Sequence, residues 1–205
     1  VADMSTRLRL AALLLLIGGH AGGAEPPAPK ATEVRTAIFA GGCFWCIEAD
    51  FEKLPGVLAA ESGYTGGRTA NPSYEQVSAG NTGHTEAIRV SYDPQRVSYP
   101  QLLDYFWRHI DPTVRNRQFC DVGTQYRSGI YWQNEVERKA AESSRDALLA
   151  SGKLPHIETE IVAAATFYPA EEYHQDYYKK NPIRYAYYRQ GCGRDARVKQ
   201  IWGSS

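Results

Sequence analysis

Two thiols stand three positions apart in Gly42-Cys-Phe-Trp-Cys46. Such a pair points first to sulfur chemistry, because a thiolate is a nucleophile and two thiols together are the reduced half of a disulfide. An apolar run over residues 34–40 precedes the pair, and Ile47, Phe51 and Leu54 follow at helical spacing, which places Cys43 at the start of a helix. Unpaired N–H groups at a helix N-terminus favour negative charge, and they bring a thiol below its usual value of about 8.5. On this reading the Cys43 thiolate is the favoured form. A carboxyl group is the second element. His84, Glu86, Ile88, Val90 and Tyr92 alternate with Thr85, Ala87, Arg89 and Ser91, so Glu86 shares a strand face with apolar side chains. Burial there disfavours the charged form, and Glu86 is expected to keep a proton it can donate near neutral pH.

Each residue also has a plainer reading. A zinc site needs about four ligands, and Cys120 and Cys192 are isolated, without a second Cys-x-x-Cys or paired histidines beside them. A thioredoxin-type oxidoreductase is the stronger rival for the thiols, since Cys-x-x-Cys after a strand is its signature. That fold does not by itself explain a buried acid on a separate strand. Glu86 alone is as readily a satisfied buried glutamate; its company gives it weight. Tyr74 follows Asn71-Pro72, and Asp121, Gln125 and Tyr126 lie in one polar segment after Cys120. With fourteen tyrosines in the chain, most must be structural.

The elements that must position these residues follow from periodicity. Residues 57–65 form a strand interrupted by Gly63, the segment 66–72 is rich in turn residues, and a short helix carries Tyr74 and Val77. Ser98 is the expected N-cap of a helix with Pro100 in its first turn and Leu102, Leu103, Phe106, Trp107 and Ile110 on one face, stopped by Asp111-Pro112. A strand over 128–133, an exposed helix over 134–150, a strand over 157–161 and a short helix over 169–179 follow. Past Asn181 an aromatic, arginine-rich tail shows no clear pattern and is expected to be irregular. Strands and helices interleave, yet tight turns join some strands. The expected class is therefore α+β, one domain, a mixed sheet flanked by helices.

Composition bounds the setting. The chain has 205 residues with 23 basic and 23 acidic side chains, and nothing in that balance points to nucleic acid. Arg7 and Arg9 precede the apolar run of residues 10–17, and small residues follow at 22–24. This pattern predicts a secretory signal peptide over 1–24, a proline-rich flexible leader over 25–33 and a catalytic domain over 34–205. The run is about half the ~20 residues of a membrane-spanning helix, so no stable membrane insertion is expected after cleavage. Removing residues 1–24 takes away Asp3, Arg7 and Arg9, leaving 21 basic and 22 acidic residues. The expected location is the bacterial periplasm. Four cysteines are too few for a disulfide-held scaffold and are read as reactive before structural.

Six motifs in order carry a resemblance: Gly42-Cys-Phe-Trp-Cys46, Gly63-Tyr-Thr-Gly-Gly67, Asn71-Pro-Ser-Tyr74, Gly83-His-Thr-Glu86, Asp121-Val-Gly-Thr-Gln-Tyr-Arg-Ser128, and Tyr173-His-Gln-Asp176 with Asn181-Pro182. Together, from Ile38 to Pro182, they resemble the peptide methionine sulfoxide reductase A family. The resemblance implies reduction of the S epimer of methionine sulfoxide, free or in oxidised proteins, without metal or organic cofactor, as repair of oxidative damage. It implies Cys43 as nucleophile, Glu86 as proton donor, Tyr74 and Tyr126 as contacts to the sulfoxide oxygen with Asp121 nearby, and Phe44 and Trp45 as a cradle for the sulfur-bound methyl group. His84 and His174 are expected to orient backbone. A Cys43 sulfenic acid would then condense with a second thiol, and a thioredoxin-like dithiol protein would reduce the disulfide. Many members carry the resolving cysteine shortly after Asn-Pro, where this chain has Ala186. Cys46, one turn away, becomes the leading candidate on reach, with Cys192 and Cys120 as alternatives.

Overall fold

The protein is described from a computed structural model covering residues 33–203. The expected signal segment, and all of the expected leader except Glu33, lie outside the described residues. The first strand, β1 (Arg35–Gly41), is apolar from Ala37 onward, where both its faces are covered. Ala37 and Phe39 join the main core, while Ile38 and Ala40 pack with Ala87 and Tyr131 on the other side. Gly41 and Gly42 then turn the chain into α1 (Phe44–Phe51). Gly42 has φ +83°, and a Cβ there would meet the Gln118 side chain at 2.4 Å, so only glycine gives this entry to the thiol pair.

Strand β2 (Val57–Thr65), helix α2 (Tyr74–Ser78) and strand β3 (Thr85–Tyr92) follow. Ser73 caps α2 with a reciprocal bond from Gln76, and Ser98 with Gln101 does the same for α3 (Tyr99–Trp107), as its Ser-Tyr-Pro start predicts. A small pair, β4 (Arg117–Gln118) and β5 (Asp121–Val122), precedes a 3₁₀ turn at Thr124–Tyr126. Next come β6 (Ser128–Trp132), α4 (Glu135–Ala150), β7 (Glu160–Ala163) and β8 (Tyr168–Pro169). The main sheet runs β7-β6-β1-β3-β2-β8, antiparallel except for β6 and β7, which are joined by the α4 crossover. Phe39 stacks at 5.2 Å on Phe51 and 5.1 Å on Phe106, so α1 and α3 cover one face of the sheet through a shared aromatic layer. The result is the expected α+β domain, a mixed sheet flanked by helices.

Three segments differ from expectation. Strand β7 begins at Glu160, because Ile157 packs against the core before the chain pairs with β6. Residues 169–179 form no continuous helix: β8 adds to the sheet edge, where Pro169 is tolerated, then a 3₁₀ turn at Glu172–His174 leads to α5 (Tyr177–Lys180). The tail is not irregular but two helices, α6 (Pro182–Cys192) and α7 (Arg194–Trp202), separated by Gly193 at φ +71°. Their inward residues are Tyr185, Tyr188, Arg189 and Arg194, which make no apolar stripe, so the usual helical signal is missing. Among the described residues no helix is long and apolar enough to cross a membrane.

Candidate active site

Cys43 is the N-cap of α1, as its spacing predicts, but its side chain makes no capping bond. The first-turn N–H of Phe44 therefore remains to be satisfied, and it donates to Glu86 Oε2 at 2.9 Å. Glu86 reaches it because β3 lies beside β1 in register, with Phe39 opposite Ile88. Glu86 shares the Ile88 and Val90 face, under the start of α1. It is 2% exposed, and burial pushes its carboxyl up to about 8 against the lowering bond from Phe44, with the Asp121 charge adding to the rise. At neutral pH it holds a proton.

Thr85 places the opposite wall. Its hydroxyl donates to the carbonyls of Gln125 and Arg127, at 3.0 and 3.1 Å, fixing the 3₁₀ turn that carries Tyr126 beside Glu86. Tyr74 enters from the first turn of α2, anchored by its N–H to Glu171 Oε1 at 2.8 Å. Burial raises both phenols above their ordinary value, with the Glu86 charge adding to it, so each is a neutral donor. A cavity of about 80 Å³ is lined by Cys43, Phe44, Trp45, Tyr74, Glu86, Asp121, Tyr126 and Tyr188. A larger polar groove, of about 620 Å³ between Arg68 and Glu160, shares none of these residues.

Seven of the eight lining residues are those the sequence singles out, and the eighth, Tyr188, is new. Its hydroxyl donates to Asp121 Oδ2 at 2.6 Å, and its ring meets the Trp45 indole edge-on at 5.8 Å. The only signal for it in the sequence is its place in the aromatic tail. His84 behaves as expected, taking the Gly67 N–H on Nδ1 and bonding the Thr69 carbonyl through Nε2. His174 instead orients a side chain: Trp45 Nε1 donates to its Nδ1 at 3.0 Å from the indole edge, while a face of the same indole stacks on Tyr177 at 3.7 Å. Phe44 lies 5.0 Å from the same imidazole. The indole is thus fixed from two sides.

The cysteines divide into two pairs. Cys120 and Cys192 form a disulfide, so two of the four are structural in this state and Cys192 is not available as a thiol. Cys43 and Cys46 are unbonded and buried. Burial pushes the Cys43 thiol well up; the neighbouring Cys46 and then Glu86 add to the rise, and the Tyr188 hydroxyl opposes it weakly. The helix start does not prevail, and the resting Cys43 is a thiol rather than the expected thiolate. Cys46 goes the other way, lowered by the hydrogen bond from Cys43 and, against burial, by Arg194 and Arg189.

Among the described residues, two groups of donor atoms converge as a metal site would. Cys120, Asp121 and Cys192 have their sulfurs joined to each other, and Glu48, Glu52 and Asp176 are occupied by Ser62, Tyr178 and Lys179. Neither group suits zinc.

Residues 35–205 match the family model described as peptide methionine sulfoxide reductase. A curated relative from Caulobacter vibrioides, named peptide methionine sulfoxide reductase MsrA 2, is 50% identical over 88% of this chain and 92% of its own length. One from Bacillus licheniformis, peptide methionine sulfoxide reductase MsrA, is 52% identical over 82% of this chain and 93% of its own. Among solved structures, methionine sulfoxide reductase A of Corynebacterium diphtheriae aligns with a TM-score of 0.67 at 37% identity, covering 75% of this chain and 78% of that one. Mxr1 from Saccharomyces cerevisiae in reduced form aligns with 0.68 at 34%, covering 78% and 90%. With the family model spanning nearly the whole described domain, and half-identical relatives matched over almost their full length, the chain belongs to the peptide methionine sulfoxide reductase A family.

Proposed function

We propose that this chain reduces methionine S-sulfoxide, in oxidised proteins and as the free amino acid, to methionine. The observation that carries the reading is a protonated, buried Glu86 held under the first turn of the helix that begins at Cys43. The Cys43 sulfur bonds the sulfoxide sulfur, Glu86 gives its proton to the sulfoxide oxygen, and the Tyr74 and Tyr126 hydroxyls share the developing negative charge. The carboxylate so formed takes up the thiol proton, the oxygen passes to Cys43 as a sulfenic acid, and methionine departs. Phe44 and the Trp45 indole, steadied by His174 and Tyr177, form the surface for the S-methyl group.

The Cys46 sulfur then attacks the Cys43 sulfenic sulfur, the S–O bond breaks, and water leaves with the formation of a Cys43–Cys46 disulfide. A thioredoxin-like dithiol protein returns both thiols, becoming the disulfide itself. The Arg7, Arg9 and residue 10–17 pattern supports export to the periplasm, where the reducing equivalents must come from the cytoplasmic side. Cell fractionation with N-terminal sequencing of the product checks that location, and an uncleaved cytoplasmic chain would refute it.

The test of the chemistry is a single turnover without reductant. Wild-type protein should release one equivalent of methionine from the S epimer. Cys43→Ser should release none, and Glu86→Gln should keep its fold while slowing release by about 10²–10⁴-fold. Release of methionine by Cys43→Ser would sink the mechanism.

A further inference from the structure

Cys46 lies in an unusual charge environment. It is 2% exposed, on the α1 turn that also carries Asp50, itself 2% exposed. Arg189 of α6 bonds Asp50 Oδ1 at 2.9 Å, the Tyr185 hydroxyl at 2.9 Å and the Cys46 carbonyl at 3.5 Å. Arg194 of α7 is 1% exposed, donates to the carbonyls of Gly41 and His109, and has its Nε 3.6 Å from Asp50 Oδ2. Among the described residues, that Nε and that oxygen are both without a hydrogen bond. Around them, Glu86 holds its proton, and burial keeps His109 neutral. Tyr185 and Tyr188 are un-ionised, both raised by burial. Lys53 and Asp195 lie on the solvent side, where the first meets Asp50 and the second meets Arg189. Inside, Asp50 is shared by the two guanidiniums and the half-buried Asp121 also lies within reach of Arg194, while Arg194 and Arg189 both favour a negative Cys46 sulfur.

We propose that Arg189 and Arg194 are positioning residues for resolution, which make Cys46 the thiol that attacks the oxidised Cys43. This rests on the function proposed above and deepens it. Oxidation of Cys43 removes the thiol hydrogen bond that does most to favour the Cys46 anion, so at the resolving step Arg194 and Arg189 are what oppose burial, and attack on a sulfenic acid needs the anion. The disulfide has a place in the same device. Cys192 is the last residue of α6 and Arg194 the first of α7, so the bond to Cys120 pins the junction between the two arginines to the wall that carries Asp121. A bridge that staples the arginines in place makes Cys192 a holder of the resolving site rather than its nucleophile. In the step itself Cys46 S⁻ bonds the Cys43 sulfur, the S–O bond breaks, and hydroxide leaves as water with a proton from Glu86.

The experiment uses the full chain with its disulfide intact, S-epimer methionine sulfoxide and no reductant, with rapid quenching and peptide mapping. In wild-type protein, methionine release is followed by a Cys43–Cys46 disulfide. In Arg189→Gln the ratio of disulfide formation to methionine release falls about tenfold, the sulfenic acid accumulates and is trapped by a dione reagent, and Arg189→Lys restores most of the ratio. In a Cys43→Ser background, where Cys46 is the remaining thiol, the ultraviolet thiolate signal titrates at higher pH in Arg189→Gln. It titrates at lower pH in Asp195→Asn, which removes an exposed counter-charge and keeps the test usable if Arg189→Gln does not fold. A titration midpoint that ignores both substitutions, or a Cys43–Cys192 disulfide in the wild-type protein, overturns the proposal. No methionine release by the wild-type protein would instead overturn the function on which it rests.

Discussion

Cys43 and Cys46 carry the same side chain three residues apart, and their surroundings drive them in opposite directions. Cys43 lines a small cavity with a carboxyl group, whereas Cys46 takes a hydrogen bond from Cys43 and feels the charges of Arg194 and Arg189. A helix start is legible in sequence, and so the position of Cys43 was too. Its protonation was not, because it follows from burial, from Cys46 and from Glu86, which stands 43 residues further along the chain. Glu86 itself was legible, since strict alternation along residues 84–92 puts it among apolar neighbours. Its titration sets a pH limit. A group that must donate a proton and sits at about 8 loses that ability as pH rises through about 8, so the methionine-release rate should fall on the alkaline side of that value. A rate still climbing well above it would remove Glu86 as the donor. Tyr188 is the residue the pattern missed. Tyr188→Phe should leave the fold intact but slow methionine release by about tenfold, because Asp121 loses its 2.6 Å donor at the cavity wall. An unchanged single-turnover rate would show that the ring alone matters.

At the level of elements, capped and amphipathic segments were the most legible. Ser98 and Pro100 before an apolar face announce α3, and Asn134 accepting from the Glu137 N–H begins α4 within a residue of the expected place. The tail helices were not legible, because a helix whose buried face is Tyr185, Tyr188, Arg189 and Arg194 has the composition of an exposed one. Such a face cannot hold itself down by apolar area alone, which assigns weight to the Cys120–Cys192 bond. Joining residues 72 apart, it should stabilise the domain by about 2–4 kcal/mol. Cys120→Ser with Cys192→Ser should lower the denaturation midpoint accordingly, and amide exchange should rise first in α6 and α7. Uniform protection across the double variant would mean that the tail docks without the bridge.

Across the molecule, the protons of two glutamates are tied most strongly to folding among the described carboxyl groups. Burial raises Glu48 to about 7 and Glu86 to about 8, against 4.5 for each as an ordinary glutamate. Below about 4.5 the folded and unfolded chains both hold these protons; between there and about 8 the unfolded chain releases them while the folded chain keeps them, so stability falls as pH rises and the loss is complete above about 8. Glu86→Gln mimics the protonated form and can still accept the Phe44 N–H. It should melt higher than wild type at about pH 9 and converge with it near pH 4. A difference independent of pH would mean that Glu86 is charged in the folded protein.

The thiol pair belongs to the first helix of the domain, and Arg189 stands 143 residues beyond Cys46. A growing chain therefore produces its reactive sulfur early and completes the surroundings of that sulfur late. Until α6 and α7 dock, Cys46 lacks its guanidiniums and Cys43 lacks the Tyr188 side of its cavity. Oxidation met during synthesis or transport would find an incomplete centre, and the full surroundings of both thiols arrive only once α6 and α7 have docked.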